Sequence, residues 1–389
     1  MRIALIDEVM PSGGTIEPDR NQIEKLAWAM AHQGHMVDIY RGRGPGEPVW
    51  EDLHEQVRIH RMDNTASWPL DDQPRLGQAV QAFAAGMRRL VMEVYPCDVI
   101  HAWGLHAGLV GLRLSRGVAV PFAWTMPSRI ADAPQRQIAQ LLVERAQALV
   151  ARNVAQRNAL LDIPGARRAD VHLVPSGVDT QLFRPRNKAC ARRELGLPQD
   201  AFVVLLAGQS TTPWRSLVAD LPAHVVALAD VKQEDACDAS AHARLVAEHC
   251  AAADVMLIVG EQEAGLQIDA KEAMACGLPV LALAQRSGDE VSRVVEDGVT
   301  GYVLHTNHPD VTMDHLRYLR DQPHWRSAMG MAAILRARTF FTWTKASDQM
   351  LGIYSECAQT SQLTHIGQIC RSLTLIQSPP RALPMRMPV

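Results

Sequence analysis

Two carboxylates around a glycine turn mark the stretch best suited to chemistry. In Gly260-Glu261-Gln262-Glu263-Ala264-Gly265-Leu266-Gln267-Ile268-Asp269-Ala270-Lys271-Glu272-Ala273-Met274-Ala275-Cys276-Gly277-Leu278-Pro279-Val280, Glu263 and Glu272 bracket Gly265, Leu266 and Gln267. The apolar run 255–259 before it reads as a buried strand. A helix then opens near Ile268 and ends at Gly277, with Pro279 barring its continuation. A helix start reached through a glycine turn presents free backbone N–H groups and the positive end of a dipole, a ready setting for phosphate. Gly13-Gly14 occupies the corresponding place after the first strand, residues 2–6, where a ligand loop and a plain tight turn fit equally. His101 and His106 stand at a later strand end and in the loop beyond it. A ligand group and a packed core histidine both remain open for each.

The scaffold around these residues is an alternation. Ile23, Leu26, Ala27 and Met30 have the spacing of an amphipathic helix that ends at Gly34, and residues 35–40 read as a strand. The first forty residues therefore form a βαβ unit. Residues 41–75, rich in glycine, proline and charge, read as a variable connection with one strand at 57–62. A helix over 76–94 and strands at 97–103, 118–125, 149–152 and 171–174, with helices at 108–114 and 138–149, extend the pattern to a doubly wound parallel sheet. Glycine and proline interrupt the periodicity at Pro175-Ser176-Gly177-Val178-Asp179, which marks a linker. After a helix near 188–195, the run 202–208 is a buried strand ending at Gly208, so the second half begins with the same grammar as the first. A strand at 224–228, a helix at 241–252, the stretch just described, a turn and strand at 294–304, helices at 309–320 and 324–338, and a last helix at 343–358 follow.

The chain has 389 residues, too many for one ordinary core, and two domains are expected. A net charge of -3 argues against a nucleic-acid binder, and no apolar run approaches the length of a membrane span. The first residues read as a strand and not as a secretory signal. Seven scattered cysteines without a CxxC pair support neither a disulfide framework nor a zinc site, and point to a reduced, cytoplasmic address. Arg88, Arg89, Arg113, Arg116 and Arg129 make the first half locally basic. This suits either peripheral contact with an anionic lipid surface at the inner face of a membrane or ordinary solvated helix faces.

Several pieces in order, namely Gly13-Gly14 with Gly34-His35-Met36-Val37, Asp98-Val99-Ile100-His101-Ala102, Val174-Pro175-Ser176-Gly177-Val178-Asp179, Glu272-Ala273-Met274-Ala275-Cys276-Gly277-Leu278-Pro279-Val280 and Asp297-Gly298-Val299-Thr300-Gly301-Tyr302, resemble retaining glycosyltransferases of the GT-B fold, family 4 type. The resemblance covers roughly residues 1–358. It implies α/β architecture with two Rossmann-like domains facing across a cleft, an acceptor-side domain at 1–183 and a nucleotide-sugar donor domain at 184–342. A helix at 343–358 would cross back to the first domain, and a poorly ordered tail would occupy 360–389. Glu272 is similar to the residue that binds the ribose hydroxyls, which suits a carboxylate facing a vicinal diol.

The chain also departs from that family. The first glutamate of the signature falls on Ala264, with Glu263 one residue earlier, so either Glu263 serves or the group is absent. The arginine that usually follows the strand glycine is Gln209 here, and Arg215 stands near the expected lysine. The span between Gly208 and Asp254 is short, which implies a donor domain lacking one βα unit. Thr125-Met126-Pro127 replaces a Thr-x-His piece, leaving His101 and His106 as candidates on the acceptor side. The expected activity is metal-independent transfer, with retention, of a hexose from a UDP- or GDP-sugar to a glycan, lipid-linked or small-molecule acceptor hydroxyl. No separate cofactor is expected, and Gly13, Gly14, Gly208, Arg215, Gly265, Leu266, Gln267 and Glu272 would hold the donor. The rival is a glycosyltransferase-like protein that binds nucleotide or a partner without transferring sugar.

Overall fold

Unbroken apolar runs become strands when both faces of a sheet are covered, and this chain builds two such sheets. The computed structural model describes residues 1–7, 18–63, 70–118, 120–127, 129–208, 214, 218, 221, 223–227, 239–259, 270–283, 290–305 and 309–376.

The first sheet has eight strands: β1 (Arg2–Ile6), β2 (Met36–Gly42), β3 (Trp50–His54), β4 (Val57–Met62), β5 (Val99–Trp103), β6 (Phe122–Thr125), β7 (Ala148–Ala151) and β8 (Val171–Leu173), in the order β3-β4-β2-β1-β5-β6-β7-β8. All pairs are parallel except β3 with β4. The hairpin that brings in β3 departs from the sequence expectation of a lone strand at 57–62. Trp50-Glu51-Asp52-Leu53-His54 lacks alternation because it is an edge strand, half in solvent and interrupted by a bulge between Asp52 and His54. The expected amphipathic helix forms over Pro18–His32, with Ile23, Leu26, Ala27 and Met30 all buried.

The second sheet consists of β9 (Phe202–Gly208), β10 (Ala223–Ala227), β11 (Val255–Val259), β12 (Val280–Leu283) and β13 (Gly301–Leu304), all parallel, in the order β10-β9-β11-β12-β13. Each sheet carries an apolar layer on both faces. Phe83, Phe122, Trp124 and Leu142 lie in one layer of the first sheet, and Ile3, Leu5, Ile39 and Tyr354 in the other. In the second sheet β9 sends Leu205 into one layer and Val204 with Leu206 into the other.

The last helix, Trp343–Ile376, runs beyond the expected end at 358 and into the segment expected to be poorly ordered. Ala346, Met350, Ile353, Tyr354 and Cys357 join the layer built on Ile3 and Leu5, so this helix belongs to the first domain's core. The two chain crossings between the domains lie side by side: Val178 bridges Thr342, and Val178 N donates to Phe341 O at 2.7 Å. Gly177 is required there, because a Cβ would stand 2.3 Å from Trp343 N.

Candidate active site

Strand order locates the place where sheets of this kind can receive a ligand. In the first sheet the chain steps from β1 to β2 on one side and later to β5 on the other; in the second it steps from β9 to β10 and then to β11. Such reversals open a crevice outside the carboxyl ends of the two central strands. The first crevice lies beyond β1 and β5, paired to Ile6↔Ala102, and the second beyond β9 and β11, paired to Val259↔Gly208.

At the second crevice Gly208 has φ 119°, and a Cβ there would come within 2.0 Å of Val259 O. The close approach of the two central strands thus accounts for this glycine before any ligand is considered. Beyond Val259 the chain reaches the helix Ala270–Ala275, with Glu272 half-buried in its first turn. Gly277, at φ 89°, ends the helix as the sequence leads one to expect. Gly13, Gly14, Arg215, Glu263, Gly265, Leu266 and Gln267, and the expected helix opening near Ile268, lie outside the described residues.

At the first crevice His106 is half-buried in the opening turn of the helix Leu105–Val118, directly beyond the carboxyl end of β5. His101 has a different situation from the one expected. It lies in the middle of β5 with 0 % exposure, Nδ1 is 2.6 Å from the Tyr354 hydroxyl, and Nε2 is 2.7 Å from Thr125 Oγ1. Burial pushes its imidazolium down to about 3. A sealed, neutral imidazole with both nitrogens engaged ties β5, β6 and the last helix together, and it has no face left for an acceptor.

Other groups at this edge escape a reading by motif. Arg41, at the end of β2, is 4 % exposed; its Nη2 lies 3.0 Å from Asp7 Oδ2 and its Nη1 2.9 Å from Glu24 Oε1. One guanidinium therefore holds the residue after β1 against the helix Pro18–His32, the two stems of the segment containing Gly13-Gly14. Arg152, just after β7, lies over the Trp103 ring at 5.6 Å and donates to Gln22 Oε1 at 3.2 Å. Their strand-end positions are legible in the sequence, but their partners come from distant elements.

Buried charge is also found at the opposite edge of the second sheet. Asp254, just before β11, accepts from Lys188 at 2.7 Å, Arg192 at 2.6 Å and Val203 N at 2.8 Å. Burial raises its carboxyl, but these cations and the backbone N–H outweigh that and hold it below the usual range. This cluster fastens the amino edge, away from the crevice.

Two Rossmann-like domains, joined by paired crossings and completed by a returning helix, define the GT-B class. Residues 20–177 match the glycosyl transferase 4-like domain family and residues 193–322 the glycosyl transferases group 1 family. A D-inositol 3-phosphate glycosyltransferase from Kineococcus radiotolerans is 31% identical, over 87% of this chain and 90% of that relative. Another, from Catenulispora acidiphila, is 28% identical over 88% and 92%. Among solved structures, sucrose-phosphate synthase from Thermosynechococcus elongatus superposes with a TM-score of 0.69 at 20% identity, covering 91% of this chain and 98% of that one. HepE from Anabaena, solved in complex with UDP, gives 0.61 at 18% identity, covering 92% and 100%. The chain belongs to the group 1 glycosyltransferases, and glycosyl transfer is its class of activity.

Proposed function

We propose that this glycosyltransferase moves a hexose from a UDP- or GDP-sugar to an acceptor hydroxyl with retention and without a metal ion. The observation that carries the reading is the second crevice. Gly208 and Val259 meet at the strand reversal, and the chain leaving Val259 leads into the short helix that bears Glu272. In this reading Glu272 accepts from the ribose hydroxyls and Glu263 stands beside the transferred sugar. Gly13, Gly14, Gly208, Arg215, Gly265, Leu266 and Gln267 take the diphosphate side, where fixed donors stabilise the charge that develops as the nucleotide departs. The first crevice, with His106 at its edge, receives the acceptor. The curated relatives bear the name of enzymes acting on an inositol phosphate, which makes a phosphorylated polyol the first acceptor to try, ahead of glycan and lipid-linked ones. A role in polysaccharide, glycolipid or glycoconjugate synthesis follows from the same reading.

The test is a panel of UDP-glucose, UDP-N-acetylglucosamine and GDP-mannose, scored for binding and turnover in the wild type and Glu272→Ala. Loss of a charged acceptor from a diol weakens nucleotide binding by roughly tenfold to a hundredfold. Unchanged affinity in the variant would remove Glu272 from the site. Ala264, standing where the family signature has glutamate, favours a second reading in which the chain binds nucleotide without transferring sugar. Turnover of one donor in the same panel would sink that alternative.

A further inference from the structure

Lys271 directly precedes Glu272 on the helix Ala270–Ala275, yet it is only 3 % exposed, and its Nζ donates to Ser176 O at 3.0 Å. An ammonium at this depth has to give its protons to acceptors, and a backbone carbonyl is a directional one. Ser176 belongs to the first of the two crossings between the domains. Two residues further on, Val178 is bonded to Phe341 and bridged to Thr342 of the second crossing, so a force on Ser176 is felt by both.

Ser176 also lines a half-open cleft of about 280 Å³. Its other walls include Pro175 from the first crossing, Val294 and Arg336 from the second domain, Phe341 from the return crossing and Ala346 from the last helix. Elements that wall an open cleft face solvent on one side, where they meet less resistance to movement than a close-packed interior offers. The crossings run along this cleft, and Lys271 is bonded to Ser176 in its wall.

We infer that Lys271 is a positioning residue that couples the nucleotide site to the angle between the two domains. The inference rests on Glu272 as the nucleotide ligand. Glu272 and Lys271 are adjacent on the helix described over Ala270–Ala275, so a nucleotide that draws on one pulls on the backbone that holds the other. The pull passes through the ammonium to the Ser176 carbonyl, and through the paired crossings to the domain that carries the acceptor. An apolar residue at 271 would fill the same space without the hydrogen bond to the Ser176 carbonyl.

Lys271→Met keeps the length of the stem and removes the donor, whereas Lys271→Gln keeps an N–H for the carbonyl without the charge. The measurements are UDP and GDP affinity by calorimetry, kcat and KM with the active donor, and nucleotide-induced compaction by small-angle scattering. Lys271→Met is expected to bind nucleotide within about threefold of the wild type. It should lose roughly tenfold in kcat, in line with loss of one charged hydrogen bond, and fail to compact. Lys271→Gln should recover part of both. A parallel fall in nucleotide affinity and kcat in Lys271→Met would make the lysine a mere support of the helix and overturn the coupling. So would wild-type kcat and compaction in that variant, or a Gln variant no better than Met. If Lys271→Met does not fold, compaction of Lys271→Gln decides: partial compaction upholds the coupling and none overturns it. Equal nucleotide affinity in the wild type and Glu272→Ala would instead remove the donor-site reading, and the coupling with it.

Discussion

Mild acid should loosen the first domain at His101, and by an amount that follows from its surroundings. The imidazole is sealed between the Tyr354 hydroxyl and Thr125 Oγ1, and burial lowers its pKa from 6.5 to about 3. The folded protein therefore holds it neutral, while the unfolded chain takes up a proton near the ordinary value. Between these two values the unfolded state binds more protons, so stability rises with pH across the window. The contribution is complete above the unfolded pKa and is lost as pH falls towards the folded one. At about pH 5 the deficit is about 2 kcal/mol. Denaturant unfolding near pH 7.5 and near pH 5, followed through the buried Trp103 and Trp124, measures it. His101→Gln serves as the reference because glutamine does not titrate. Whatever the absolute stability of the variant, the wild type should lose about 2 kcal/mol more than it does between the two conditions. Equal losses would refute the account of a neutral, sealed imidazole.

Gly208→Ala forces a Cβ against Val259 O at a backbone angle that favours glycine, and should cost about 1–3 kcal/mol, read as a lowered thermal midpoint of the second domain. Arg41→Met withdraws the guanidinium between Asp7 and Glu24 and should destabilise the first domain by about 3–5 kcal/mol in denaturant titrations. Arg41→Lys should recover only part of this, since one ammonium does not span both carboxylates in the manner of a planar fork.

The alternation of strand and helix is legible because its signals are local. Val255 to Val259 reads as a buried strand and proves to be one, and the periodicity of Ile23, Leu26, Ala27 and Met30 matches the buried face of its helix. The linker shows through its glycine and prolines. Edge strand β3 is hidden because its residues face water and its pairing depends on β4. The end of the last helix is likewise obscure, since the helix runs to Ile376, past Cys357, the last residue of the buried layer among the described residues. At the candidate site, Glu272 is recognisable from its motif, but the setting of His101 is not, because Tyr354, its partner, lies far along the chain. Lys271 is inconspicuous for a similar reason. A lysine beside a glutamate on a helix looks solvated until the carbonyl of Ser176 is found against it.

The return of the last helix sets an order on biosynthesis. Strands β1 to β8 emerge first, but one face of their sheet, with Ile3, Leu5 and Val99, is closed by Ala346, Met350 and Tyr354, which are translated after the entire second domain. At ordinary elongation rates of about 5–20 residues per second, that apolar face waits roughly ten to forty seconds for its cover. The newborn chain thus carries a finished second domain beside an open first one, and it is at this stage that chaperones and stray partners have their opportunity.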